Sequence, residues 1–414
     1  MIKLSDKDEK LIIVLLTILQ FVHILDFVIL MPLGPMLMRE LKIIPSEFGT
    51  LVSSYTFASA LFGLFCGVFM DKIPRKTFLN LSFIGFILGT FWCGFSYSFY
   101  QLLTARILTG IFGGVLTSAV YAMVADLIPM ERRGKAMGTI MGAFSIASIV
   151  GIPLGLYIAS KFGWQQTFIF IAFASVIILI LCQKFIPYYL PAIQKKSSLG
   201  QQLLEYYQTC SDSRNLKGLL LIFTLAMSAF TIIPFIGAYL VSNLGFQENQ
   251  LQYVYLFGGL LTIFSSRMIG ILCDKIGSFK IFITCALLSF IPIIILTNMP
   301  KTEIYIILIV TTLFMSLVSG RFVPALTLTT SLPKPTQRGA YMTLNNAVRS
   351  LGVGFASLIA GKIIIFNEAK ELIHYDLAGY LSIGFTILSF YFAYQVQFSG
   401  GPNQNKVIEI KATT

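Results

Sequence analysis

The sequence predicts an all-α membrane protein: twelve transmembrane helices arranged as two pseudo-symmetric six-helix bundles. Three observations carry the prediction. Of 414 residues, 56% are hydrophobic and 12% charged, with a mean hydropathy of +0.81, whereas a soluble domain carries about 25% charged residues. Apolar runs long enough to cross a hydrocarbon core of about 30 Å recur twelve times. Finally, the chain repeats itself, since Gly67-Val68-Phe69-Met70-Asp71-Lys72 returns as Gly270-Ile271-Leu272-Cys273-Asp274-Lys275, 203 positions later. Pro32 with Pro234, Pro129 with Pro333, and Arg133-Gly134 with Arg338-Gly339 recur near the same offset. A repeat of this size in a membrane protein signals two similar bundles with a site between them.

The first six runs lie near residues 11–38, 47–70, 77–96, 99–126, 136–160 and 164–186. The second six lie near 216–242, 248–273, 279–299, 303–330, 339–366 and 376–398. The predicted organisation is an amino-terminal bundle over 1–186, a polar linker over 187–215, a carboxy-terminal bundle over 216–398 and a short tail over 399–414. The first run follows Lys3, Lys7 and Lys10 but is too long for a secretory signal and has no small-residue cleavage site. The linker reads as a tether, with Leu199, Leu203, Tyr206 and Tyr207 spaced to allow a short amphipathic helix at the membrane surface.

Lys and Arg are retained on the cytoplasmic side. Taking the amino end, alternate loops and tail as cytoplasmic places 20 of them there against 6 opposite, so both termini are expected in the cytoplasm. The net charge of +12 is mostly this topology signal and supplies no nucleic-acid surface. Six cysteines without paired short spacing and two histidines, His23 and His374, indicate neither a disulfide framework nor a metal site. No cofactor is expected.

Gly67-x-x-x-Asp71-Lys72-x-Pro74-Arg75-Lys76 resembles the signature loop between helices 2 and 3 of the major facilitator superfamily, with Pro74 where that pattern has Gly. Leu102-x-x-x-Arg106-x-x-Thr109-Gly110 resembles its helix 4 motif, with Thr109 in place of Gln. Gly151-Ile152-Pro153-Leu154-Gly155 resembles the helix 5 motif of the antiporter branch, its proline displaced by one residue. Asp26 to Pro35 and Gly155 to Trp164 are similar to bacterial sugar-efflux and drug-efflux permeases of that superfamily. The resemblance covers essentially the whole chain. It implies a central cavity between two six-helix halves, opened alternately to each side. It also implies a cytoplasmic gate, in which Asp71 meets the start of helix 11 near Arg338-Gly339 and Arg75 and Lys76 reach Asp126 and Glu131. Gly67, Asp274, Gly151, Pro153 and Gly155 complete the expected gating set.

Charges inside the membrane sharpen the reading, because each costs about 2.5–3.5 kcal/mol at a helix centre. The repeat aligns Asp26 with Ser228, Arg106 with Val310, Arg267 with Leu64, Arg321 with Thr117 and Arg349 with Ser145. None of the five charges is duplicated, which argues against scaffolding and for a cavity. Asp26, the only acid deep in the membrane, is the expected proton carrier, with Arg106 as its partner and His23 one turn earlier. Four arginines against one acid leave three positive charges in surplus. Arg321 and Arg349, with Asn345, Asn346 and the aromatic Phe230, are therefore expected to meet an anionic solute, such as an acidic metabolite or a carboxylate siderophore. Phe57, Tyr121 and Phe235 are further aromatics expected to line the cavity. Pro32, Gly34 and Pro35 in helix 1, and Pro234 with Gly237 in helix 7, predict bends at matching outer-half positions. Gly110, Gly113 and Gly114 predict close helix packing.

A membrane enzyme would need nucleophile, acid, base or metal ligands at one depth, and one Asp with one His is a thin set. A sensor would need an output domain, and the longest polar segment is the linker. No phosphate-binding loop supports ATP-driven transport. The resemblance thus implies a monomeric secondary transporter in a bacterial inner membrane, exporting a small solute in exchange for protons. Proton-symport import of an anionic nutrient or siderophore is the alternative.

Overall fold

In hydrocarbon every backbone polar group must be satisfied within its own segment, so an apolar run of membrane length folds as a helix. The structure is a computed structural model, and it describes residues 6–70, 73–188, 199–334 and 337–398. Span 1 is Asp6–Ile29 continued by Gly34–Glu40, span 2 is Pro45–Met70, span 3 is Arg75–Gly94 and span 4 is Phe99–Leu127. Span 5 begins at Met130–Met141 and ends at Ile152–Phe162, and span 6 is Trp164–Phe185. After a linker helix, Leu199–Ser211, span 7 comprises Ser213–Phe230 and Ile236–Ser242; span 8 is Leu251–Ile276 and span 9 Ser278–Thr297. Span 10 comprises Ile304–Gly320 and Phe322–Thr330, span 11 is Arg338–Ile363 and span 12 Tyr375–Phe398. Among the described residues eleven spans are apolar enough to cross a membrane by composition. Span 11 has the length, 26 residues, but carries too many polar groups.

Helix breaks occur where a backbone donor is missing. Pro32 lies in the turn between the two pieces of span 1, and Pro234 in the short 3-10 turn Ile233–Phe235 of span 7. The two breaks meet, since a Cβ on Gly237 would stand 3.5 Å from the Cα of Pro32. In span 5 a π turn, Ala147–Gly151, immediately precedes Pro153, and in span 10 the break at Arg321 precedes Pro324. The all-α expectation is modified only between spans 11 and 12, where Ile365–Phe366 pairs antiparallel with Leu372–Ile373.

An even number of spans puts the first and last described residues at one end, here called the terminal end. At the opposite, distal end the halves touch. A Cβ on Gly49 would lie 2.4 Å from the Ser357 carbonyl, one on Gly361 2.7 Å from that of Pro45, and the Phe48 and Phe235 rings meet edge-to-face at 5.6 Å. Arg39 donates to Glu248 across the same seam. Toward the terminal end a Cβ on Gly134, Gly138, Gly270 or Gly339 would meet nothing within 4 Å. The linker helix does not merely tether. Its Tyr206 hydroxyl donates to the Leu64 carbonyl of span 2 at 3.0 Å, while Tyr206 and Cys210 pack on Leu219, Tyr341 and Leu344 of spans 7 and 11. The halves are thus packed together distally, and the terminal end leaves room around those glycines.

Candidate functional site

Small residues on span 4 create the site. A Cβ on Gly110 would fall 2.4 Å from the Tyr55 carbonyl, and one on Gly113 2.5 Å from the Tyr55 hydroxyl and 2.8 Å from His23 Nε2. Span 4 therefore approaches spans 1 and 2 closely enough for long polar side chains to meet between them. Arg106 Nη1 donates to Asp26 Oδ2 at 2.8 Å and to the Asp26 carbonyl at 3.3 Å, and Thr90 donates to Oδ1 at 3.1 Å. Asp26 and Arg106 are both 0% exposed. Such a pair repays its desolvation only with near-ideal geometry, and losing one partner strands a charge in low dielectric.

The Arg106 guanidinium lies 4.4 Å over the Tyr55 ring, which stacks on Phe27 at 5.1 Å. Phe27 in turn faces Phe230 of span 7 at 6.5 Å, so the buried pair is linked by ring contacts to the other half. The Tyr55 hydroxyl bonds His23 Nε2 at 2.9 Å, and Thr117 lies 3.5 Å from His23 Nδ1. The structure thus brings Asp26, Arg106 and His23 together as the sequence suggests. It adds Thr90, Tyr55 and Thr117, which sequence reasoning missed because hydroxyl residues are common in membrane helices and carry no charge to flag them.

Arg321 is 0% exposed, and its guanidinium is enclosed within the second bundle. Nη1 donates to Thr386 at 2.8 Å and Ser289 at 3.3 Å, and Nη2 to Ser228 at 3.3 Å. Spans 7, 9 and 12 thereby surround a cation with hydroxyl dipoles, and no carboxylate pairs with it among the described residues. Arg349 behaves differently. It is exposed, as is Asn346 one turn-face away on span 11, and it interacts electrostatically with Tyr121 on span 4 of the other half. Arg349 therefore borders the open space between the halves. Asn345 is buried with Nδ2 unpartnered among the described residues, and Arg267 is exposed on span 8.

The expected gate is described only in part. Asp71 lies outside the described residues, and Gly67 falls in the last turn of span 2. Arg75 Nε bonds Asp126 at 2.8 Å, as expected. This bond ties span 3 to span 4 within the first half. Lys76 donates to the Gln183 carbonyl of span 6 at 2.7 Å, and the Glu131 side chain, the other expected partner, lies outside the described residues. Asp274 is exposed at the end of span 8. Gly151 and Gly155 seat Leu25 and Ile29 of span 1, with half-buried Pro153 between them. Contact with the other half comes from their neighbours, since Gly259 of span 8 packs on Ser148 and Ile149 in the π turn. Gly151 and Gly155 thus let span 5 pack closely on span 1. The cross-half contact that sequence reasoning missed is Arg39 with Glu248, two ordinary surface charges until the fold aligns them.

Comparison with known proteins agrees with this architecture. The family model for the Major Facilitator Superfamily matches residues 16–357 and again 218–411. Multidrug resistance protein 2 of Bacillus subtilis is 24% identical over 392 residues, covering 93% of this chain and 95% of that protein. Multidrug resistance protein MdtG of Proteus mirabilis is 26% identical over 368 residues, covering 85% and 88%. Among solved structures, a bacterial homolog of the human lysosomal transporter Spinster, in an inward-facing and unoccupied conformation, superposes with a TM-score of 0.76. Its identity is 13%, and the match covers 95% of this chain and 97% of that one.

Proposed function

Because the chain belongs to the major facilitator superfamily, and is thus a membrane transporter and not an enzyme, we propose that it exports a small anionic solute in exchange for protons. The observation that carries the coupling is the fully buried Asp26–Arg106 pair. A carboxyl that gains a proton releases its arginine partner, so protonation and helix contacts change together. The proposed membrane is a bacterial inner membrane with both termini cytoplasmic, supported by the 20-to-6 distribution of basic residues. On that orientation the terminal end faces the cytoplasm, where an exported solute would load.

Arg349 supports the anionic solute, as an exposed guanidinium that faces Tyr121 without a carboxylate partner among the described residues. With Arg106 engaged by Asp26 and Arg321 enclosed by hydroxyls, the charge available to a solute is smaller than the surplus counted from sequence. A monoanion fits better than a polycarboxylate. Export is supported by the relatives named for multidrug resistance.

The test compares metabolites inside cells and in their medium, with the protein present, absent or carrying Asp26→Asn. The expected result is an anion that accumulates outside only with the intact protein. Depletion from the medium with gain inside would overturn export in favour of import, and a gradient unaffected by Asp26→Asn would overturn the coupling role.

A further inference from the structure

Asp26 is sealed from the open space by Arg106, Thr90 and Tyr55, yet a carrier must exchange its proton with one side at a time. The contacts around it form an ordered polar chain. Tyr55 lies under the Arg106 guanidinium and within electrostatic reach of Asp26. Its hydroxyl bonds His23 Nε2 at 2.9 Å, and His23 Nδ1 faces Thr117 at 3.5 Å. Thr117 is half-buried and stands four residues before Tyr121 on span 4, on the same helix face. Tyr121 lies within electrostatic range of Arg349 on span 11 of the other half, whose side chain is exposed, so the chain runs toward the seam between the halves. Arg106 Nε and Nη2 are buried donors without a hydrogen-bond acceptor among the described residues, the kind of group that buried water satisfies in proteins. The titratable or charged side chains around the chain are Asp26 and His23 on span 1, Tyr55 on span 2, Cys93 on span 3 and Arg106 on span 4.

We propose that Tyr55 and His23 are the proton path from Asp26 to the seam between the halves, with Thr117 at its mouth. The proposal rests on the reading of Asp26 as the carrier. On release, the Asp26 carboxyl gives its proton to water held by Arg106, and that water gives one of its own to the Tyr55 oxygen. The Tyr55 O–H proton passes to His23 Nε2, and the Nδ1 proton leaves past Thr117 to water. One proton moves, each O–H and N–H broken is replaced, and His23 ends in its other tautomer. Loading runs the same steps in reverse.

The test follows Asp26 protonation by infrared absorption of its carboxyl group after a pH jump, using the full chain in lipid vesicles and no solute. The band is assigned by its loss in Asp26→Asn. Tyr55→Phe keeps the ring under Arg106 and removes only the hydroxyl. It is expected to leave the band and its titration midpoint in place while slowing the change about tenfold or more. His23→Gln, which keeps a hydrogen-bonding side chain without a ring to pass the proton, gives the same slowing and serves if Tyr55→Phe does not fold. An unchanged rate in either variant, or a shifted midpoint at unchanged rate, overturns the path and leaves the carrier standing. A band that survives Asp26→Asn overturns the carrier itself, and the path with it.

Discussion

Arg321 donates to the Ser228 hydroxyl at 3.3 Å, and Ser228 occupies the repeat position of Asp26. In the first half Thr117, the repeat position of Arg321, lies 3.5 Å from His23, one turn from Asp26 on span 1. Both bundles build a buried polar cluster at the place in the repeat that Asp26 and Ser228 share. One half puts an acid there and pairs it with Arg106; the other puts a hydroxyl there and uses it to solvate a cation.

The two buried arginines should respond oppositely to removal. Of the hydroxyls that accept from Arg321, Thr386 donates to the Ser382 carbonyl and Ser289 to the Ala286 carbonyl, while Ser228 bonds the Thr386 hydroxyl at 2.7 Å, so Arg321→Met strands no charge and leaves each hydroxyl a partner. It is expected to be neutral or stabilising by up to about 4 kcal/mol, whereas Arg106→Met, which abandons Asp26, loses about 3–5 kcal/mol. Thermal unfolding in detergent ranks them, and the reverse order would show that Arg321 has an acidic partner or that Asp26 is neutral.

Gly113→Ala places a methyl against both partners of the Tyr55–His23 hydrogen bond. Overpacking of this kind costs about 1–3 kcal/mol, measurable as a lower unfolding temperature. Gly138→Ala, with open space around it, serves as the control and gains up to about 1 kcal/mol in helix propensity.

The distal closure includes a charge pair between halves, Arg39 with Glu248, whose side chains are 59% and 19% exposed. Exposed pairs contribute up to about 1 kcal/mol, so Arg39→Glu shifts the distal-closed population by at most about fivefold. Distances between spin labels across the distal end report it, and Arg39→Glu combined with Glu248→Arg restores the original distribution. No recovery in the double variant would mean the two charges act separately.

If Arg349 holds the solute's charge, Arg349→Gln raises KM for the anion about tenfold or more, the loss of a charged hydrogen bond. Flux of an uncharged analogue stays unchanged. Equal losses for both would assign Arg349 to packing or conformational change.

Much of the architecture follows from composition along the chain. Residence in lipid requires apolar runs, so their number, the repeat and the breaks at Pro32 and Pro234 could all be read in order. The pairing of Asp26 with Arg106 was also readable, because a lone intramembrane acid needs a cation and few are available. The partners Thr90, Tyr55 and Thr117 were not, since their polarity is ordinary and only helix rotation brings them together.

The sequence by itself determined which residues carry charge into the membrane; only the tertiary structure decided which way those charges face. Arg321 and Arg349 look alike in one dimension, but the first turns into hydroxyls from spans 7, 9 and 12 and the second borders open space. Burial in lipid is a property of a segment's average hydropathy. The direction of a single side chain depends on which neighbours offer dipoles or room, and those neighbours come from distant parts of the chain.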